Sequence, residues 1–125
     1  MKQSFVIGFL LLLVSATGCE FKKEDVAYPQ PLTCDTLNVK YSLQVKEVLA
    51  VSCLQCHSNA VGISLGGGVI LDNYAGVSFW ALNGVLLDDI THAPGANPMP
   101  KNAPKLSNCN IAKIRKWVEN GAPNN

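Results

Sequence analysis

Apolar residues along the chain are grouped in a few separate stretches. The first runs almost unbroken from Phe5 to Val14, behind a basic Lys2 and ahead of a cluster of small residues. A run of about ten apolar residues is half of the roughly 20 that a membrane-crossing helix needs. With its basic start and small-residue end it has the pattern of a secretory signal peptide, over residues 1–18. The stretch after it, "EFKKEDVAYPQPLT", is charged and then proline-containing, with no helical period. Residues 19–33 therefore read as a tether. Helical spacing appears in "YSLQVKEVLAVS", where Val45, Val48, Leu49 and Ser52 share a face, Lys46 and Glu47 lie off it, and Ser42 is placed to cap. "DNYAGVSFWALNG" and "GVLLDDITH" predict two shorter helices. "SNCNIAKIRKWVENG" predicts a longer one, with Ser107 as N-cap, Ile111, Ile114, Trp117 and Val118 on one face, and Gly121 as the stop.

Composition changes this picture in two ways. The sequence has 125 residues, which favours one domain, and its 48% hydrophobic content is inflated by the N-terminal run. The compact part begins near Cys34 and spans about ninety residues, a size at which a modest core is often supplemented by a cross-link or cofactor. Ten Lys and Arg face nine Asp and Glu, and Lys2 is the one basic residue ahead of Cys19, so the exported part is formally neutral. That balance argues against nucleic acid as a partner. Lys101, Lys105, Lys113, Arg115 and Lys116 against Glu119 form a basic stretch, read as a solvated helix face, with a weak docking surface for an acidic partner as the alternative. The adjacent acids Asp88 and Asp89 face different ways on a helix and read as a solvated turn.

The cysteines carry the chemistry. There are five, an odd number for an exported chain. Cys19 ends "SATGC", which resembles a bacterial lipoprotein signal whose cysteine becomes the lipidated N-terminus. An ordinary signal peptide would instead leave Cys19 as a free thiol. Cys53 and Cys56 sit in "SCLQCHS", directly ahead of His57. The remaining two, Cys34 and Cys109, lie near the two ends of the domain. They are read as a disulfide, which an oxidising compartment permits, or as two separate buried thiols.

Cys-x-x-Cys serves as a redox dithiol, half of a zinc site, or a haem attachment point. A thioredoxin-like dithiol follows a strand, whereas here the preceding segment is helical in pattern. A zinc site calls for a second Cys-x-x-Cys or a spaced histidine pair, and the one other histidine is His92. Cys-x-x-Cys-His is the attachment signature of c-type haem. The two thiols add across the haem vinyl groups, and the next residue places an imidazole under the iron. Export supplies the compartment in which such haem is attached.

The sixth ligand has few candidates. Beyond Met1 the sequence has one methionine, Met99, in "NPMPK" between Pro98 and Pro100. Prolines stiffen the backbone and remove amide donors, so the thioether is presented from an extended loop. His92, in "ITHAPG", is the rival, and an open position is the third option. The "LGGGV" stretch lacks the Gly-Lys-Ser/Thr of a phosphate loop and reads as a flexible turn.

Taken together, these features resemble the class I cytochrome c family. The resemblance is closest to small bacterial cytochrome c-like lipoproteins, through Gly67–Tyr74, the "PMPK" of Pro98–Lys101 and the ending Ile111–Asn125. It covers residues 34–125. It implies an all-α class I cytochrome c fold of four or five short helices around one covalently attached haem c, with the first and last helices crossed. It also implies single-electron transfer rather than enzyme catalysis, through Cys53 and Cys56 as thioether anchors and His57 and Met99 as axial ligands. Redox proteins are the implied partners of a monomer anchored by lipid to a bacterial membrane, facing the periplasm or the cell surface. Trp117 is expected in the core, against the first helix or the haem edge. "SNAVG" follows His57 where many relatives have a proline whose carbonyl orients the imidazole, so the acceptor for the ring N–H is not identified from sequence. The alternative function is a haem enzyme or gas sensor with an open or His92-occupied sixth position.

Overall fold

In the computed structural model, which describes residues 34–125, the chain enters its first helix at Tyr41. The signal peptide of 1–18, Cys19 and the tether of 19–33 lie outside the described residues. Tyr41–Val45 forms one π-helical turn that runs directly into α1, Lys46–Ser52. A short α2 (Leu54–His57), α3 (Tyr74–Leu82), α4 (Val85–Thr91) and α5 (Asn108–Glu119) follow. The described residues contain helices, turns and loops and no strand, so the fold is all-α. None of the described helices is long and apolar enough to cross a membrane.

The helical face predicted from the spacing is the buried one. Val45, Val48 and Leu49 enter a core shared with Leu71, Val77, Ala81, Leu86, Ile90, Ile111, Ile114 and Trp117. The Tyr41–Val45 turn packs on α5, α5 packs on α4, and α4 on α3. Each fully buried Leu, Ile or Val side chain contributes about 1.5–3 kcal/mol. The residues from Cys34 onward form a single compact unit.

Ser42 does not cap the first helix. The helix starts one residue before it, so its side chain lies past the capping position and is exposed. The free amides at this end are satisfied from the far end of the sequence. Asn125 accepts the Tyr41 N–H at its Oδ1 and the Ser42 N–H at its main-chain carbonyl, each at 2.8 Å. Lys40 N–H donates to Gln44 Oε1 at 2.9 Å.

The two caps of α5 are local, as its sequence predicts. Ser107 Oγ accepts the Asn110 N–H at 3.1 Å, and Gly121, at φ +86°, turns the chain out of the helix. The tail then folds back. The Tyr74 hydroxyl donates to the Ala122 carbonyl at 2.8 Å, and the Trp117 indole N–H to the Pro123 carbonyl at 2.9 Å. The Tyr41 ring stacks on Trp117 at 5.7 Å between centroids and meets Tyr74 edge-on at 5.2 Å. Trp117 has 0% of its surface exposed. The stacking on Tyr41 places Trp117 in the core against the start of the first helix, one of its two expected positions.

Cys34 and Cys109 are joined as a disulfide, with their Cα atoms 5.4 Å apart. The bridge ties the start of the described chain to the first turn of α5.

Candidate functional site

The Cys53–His57 segment is shaped by the end of α1. At Cys53 the backbone leaves helical geometry (φ −125°, ψ −41°). Its carbonyl then accepts both the Cys56 N–H at 3.1 Å and the His57 N–H at 2.9 Å. These bonds wind the five residues into one tight turn. Cys53 is half-buried and leans on the core cluster, and burial pushes its thiol up to about 11. Cys56 is exposed, and neither thiol is in a disulfide.

His57 is held from one side. Its Nδ1 lies 3.2 Å from the Val69 carbonyl. A carbonyl accepts only, so Nδ1 carries a proton, and in the neutral ring Nε2 keeps its lone pair. A metal-ligating histidine has this arrangement, with a main-chain acceptor fixing tautomer and ring orientation. Val69 is therefore the acceptor that "SNAVG" left unidentified. It lies beyond the glycine-rich loop, twelve positions after the histidine.

That loop is not a flexible turn. Gly66 and Gly68 N–H groups both donate to the Gly62 carbonyl, at 3.0 and 2.9 Å, and Val69 N–H donates to Gly66 at 3.1 Å. Leu71 N–H closes the loop on the His57 carbonyl at 2.7 Å. Gly66 is buried against the site. A Cβ there would lie 2.6 Å from the Cys56 carbonyl and 2.7 Å from His57 Nδ1. The segment accordingly requires a glycine where the loop passes beneath the ring.

Met99 lies in the loop between α4 and α5 and is half-buried. Its N–H donates to the Asp89 carbonyl at 3.0 Å, and its own carbonyl accepts from His92 Nε2 at 3.0 Å. Asp89 also accepts the Asn97 N–H at its Oδ1, at 3.0 Å. The solvated-turn reading therefore holds for exposed Asp88 and fails for Asp89, which anchors the loop. The structure thus assembles two groups: Cys53, Cys56, His57, Gly66 and Val69 in one, and Asp89, His92 and Met99 in the other. Among the described residues no hydrogen bond joins the two.

Cys53, Cys56 and His57 are residues that could hold a c-type haem. They comprise two unbridged thiols three positions apart and an imidazole held through Nδ1, beside a glycine whose site excludes side chains from the histidine's flank. The set fits zinc poorly, because among the described residues no cluster of three or more His, Cys, Asp or Glu is placed to hold a metal ion. No protein-family model matches the chain, and no curated protein or solved structure matches it.

Proposed function

We propose that residues 34–125 are a class I cytochrome c-like domain carrying one covalently attached haem c, and that the protein is an electron carrier rather than an enzyme. The observation that carries this reading is the His57 ring, fixed by the Val69 carbonyl through Nδ1 with Nε2 left free, directly after Cys53 and Cys56. In this reading Cys53 and Cys56 would hold the haem through thioethers, and His57 and Met99 would ligate its iron. Bound there, the haem iron supplies a one-electron Fe(II)/Fe(III) couple, and a methionine sulfur favours the reduced form and raises the potential.

The polypeptide contributes attachment, orientation and access. Covalent anchoring prevents dissociation, and the carbonyl of Val69 strengthens the imidazole as a donor. Lys101, Lys105, Arg115 and Lys116 are exposed and Lys113 is half-buried, a basic stretch suited to an acidic redox protein. Such encounters bury less than about 1,200 Å² and are brief. The protein is proposed to be a monomer, exported and lipid-anchored through Cys19 to a bacterial membrane, facing the periplasm or the cell surface. The competing haem enzyme or sensor needs an open or His92-occupied sixth position. Its histidine form is disfavoured by the engagement of His92 Nε2 with the Met99 carbonyl.

The test is acid–acetone extraction of the purified protein, followed by spectroscopy. The colour is expected to stay with the polypeptide, the Fe(III) form to show a weak near-infrared sulfur-to-iron band, and the Fe(II) form to resist carbon monoxide. Met99→Ala is expected to abolish the band and admit carbon monoxide. Haem that extracts freely would overturn the covalent assignment, and ready carbon monoxide binding by the unmodified protein would put the enzyme or sensor ahead.

A further inference from the structure

We infer that Asp89 and His92 are positioning residues that fix the backbone of Met99 and thereby the placement of its sulfur. The inference rests on the proposed ligand role of Met99. Pro98 and Pro100 carry no N–H, so Met99 has the single amide donor within the Pro-Met-Pro segment. Both of its main-chain polar groups are captured by the end of one short helix. The N–H goes to the Asp89 carbonyl at 3.0 Å, and the C=O receives His92 Nε2–H at 3.0 Å. A second bond from Asn97 N–H to Asp89 Oδ1, at 3.0 Å, pins the approach to the same loop.

The conformation of His92 fits this role. It sits at φ +56°, ψ +47°, the left-handed region, as the residue that ends α4. For a residue other than glycine that conformation is strained. A glycine would relieve the strain and lose the ring that reaches Met99. With N–H and C=O both held, the Cα position and the direction of the Cβ bond of Met99 are set. Only the side-chain torsions remain free, and these are the soft degrees of freedom of an unbranched thioether. Preorganisation of this kind lowers the entropy lost when the sulfur engages a ligand site. His92, which the sequence offers as a rival ligand, becomes a support for Met99.

The experiment uses the full-length haem-loaded protein and the rate of carbon monoxide binding to Fe(II), which reads how often the sulfur is away from the iron. His92→Ala removes one hydrogen bond and is expected to raise that rate about five- to tenfold and weaken the sulfur-to-iron band. His92→Gln keeps an N–H donor at comparable reach and is expected to restore both to within about twofold. Asp89→Ala, which frees Asn97, is expected to act in the same direction. In a Met99→Ala background, His92→Ala is expected to change nothing further, because its effect passes through Met99. Amide exchange of Met99, measured by NMR, is expected to quicken in His92→Ala and gives a readout independent of the iron. A sulfur-to-iron band in the unmodified protein with no change in His92→Ala overturns the clamp alone. So does an equal His92→Ala effect with and without Met99. Absence of that band in the unmodified protein overturns the ligand reading on which the clamp rests. If His92→Ala fails to fold, the Gln and Asp89→Ala variants decide between the same outcomes.

Discussion

Gly66 separates a steric requirement from a merely conformational one. An added Cβ at Gly66 meets main-chain oxygen and the His57 ring at 2.6 and 2.7 Å, whereas at Gly67 it meets nothing within 4 Å. Gly67 requires only its positive φ of 63°, for which alanine costs about 1–2 kcal/mol. Gly66→Ala must push the imidazole or the Cys56 carbonyl aside, an overpacking cost of about 1–3 kcal/mol. The expected outcome is that Gly66→Ala lowers both the unfolding midpoint and the yield of covalently bound haem, and that Gly67→Ala lowers the midpoint slightly and leaves haem attachment intact. Tyr41 gives a second test at this scale. Burial, then the charge of Asp72, then Tyr74 hold its phenol above its ordinary value near 10. The folded chain therefore keeps a proton that the unfolded chain releases, so this stabilisation is whole below about pH 10 and is lost as the pH climbs beyond it. Denaturant midpoints measured from pH 9 to 11 are expected to fall, and Tyr41→Phe to flatten the decline.

At the scale of elements, what was legible in the sequence is what local spacing controls. The buried face of α1, the caps of α5 at Ser107 and Gly121, and the Cys53–Cys56–His57 turn all depend on residues within a few positions of one another. What was not legible depends on distant partners. The first helix is capped by Asn125, 84 positions away. Nothing in "YSLQV" signals this, and Ser42, the local candidate, is displaced past the cap by the π-helical turn. The glycine loop looks permissive by composition, yet it is fixed because it must place the Val69 carbonyl on His57. Asp89 looks like half of a solvated acidic pair, yet it holds Asn97 and Met99. A single local sign points to the Asn125 contact: an amide side chain suits a helix N-terminus, wherever in the sequence it arises. Asn125→Ala removes the acceptor for the Tyr41 N–H while leaving the main-chain bond to Ser42. A loss of about 1 kcal/mol is expected, read as a lower midpoint in denaturant. An unchanged midpoint would mean that the Asn125 side chain does not cap the Tyr41 N–H in solution.

For the molecule as a whole, the question is how so small a core stays folded. Domains of this size are stable by about 5–15 kcal/mol, and in the loop between Cys56 and Tyr74 the large apolar side chains of Ile63 and Leu65 lie exposed outside the core. The Cys34–Cys109 bridge spans a sequence separation of 75. In the chain-entropy model a closed loop of that length is worth about 4–5 kcal/mol, a large share of the total. A bridge of this kind would persist in the oxidising compartment proposed for this chain. The bridge and the candidate haem attachment restrain different parts of the chain. One joins the residues ahead of the first helix to α5; the other would be anchored at Cys53 and Cys56, with Met99 as the proposed ligand from the loop after α4. Replacing both bridge cysteines by alanine is therefore expected to lower the stability of the haem-loaded protein by several kcal/mol in denaturant. Its visible and near-infrared spectra are expected to stay the same, since neither cysteine touches the Cys53–His57 turn or Met99. In the haem-free chain the same double variant has lost both restraints and is expected to be largely unfolded at room temperature by circular dichroism. A haem-loaded double variant with an unchanged midpoint would show that the bridge adds nothing to stability. A changed near-infrared band would show that the bridge reaches the iron through the position of α5.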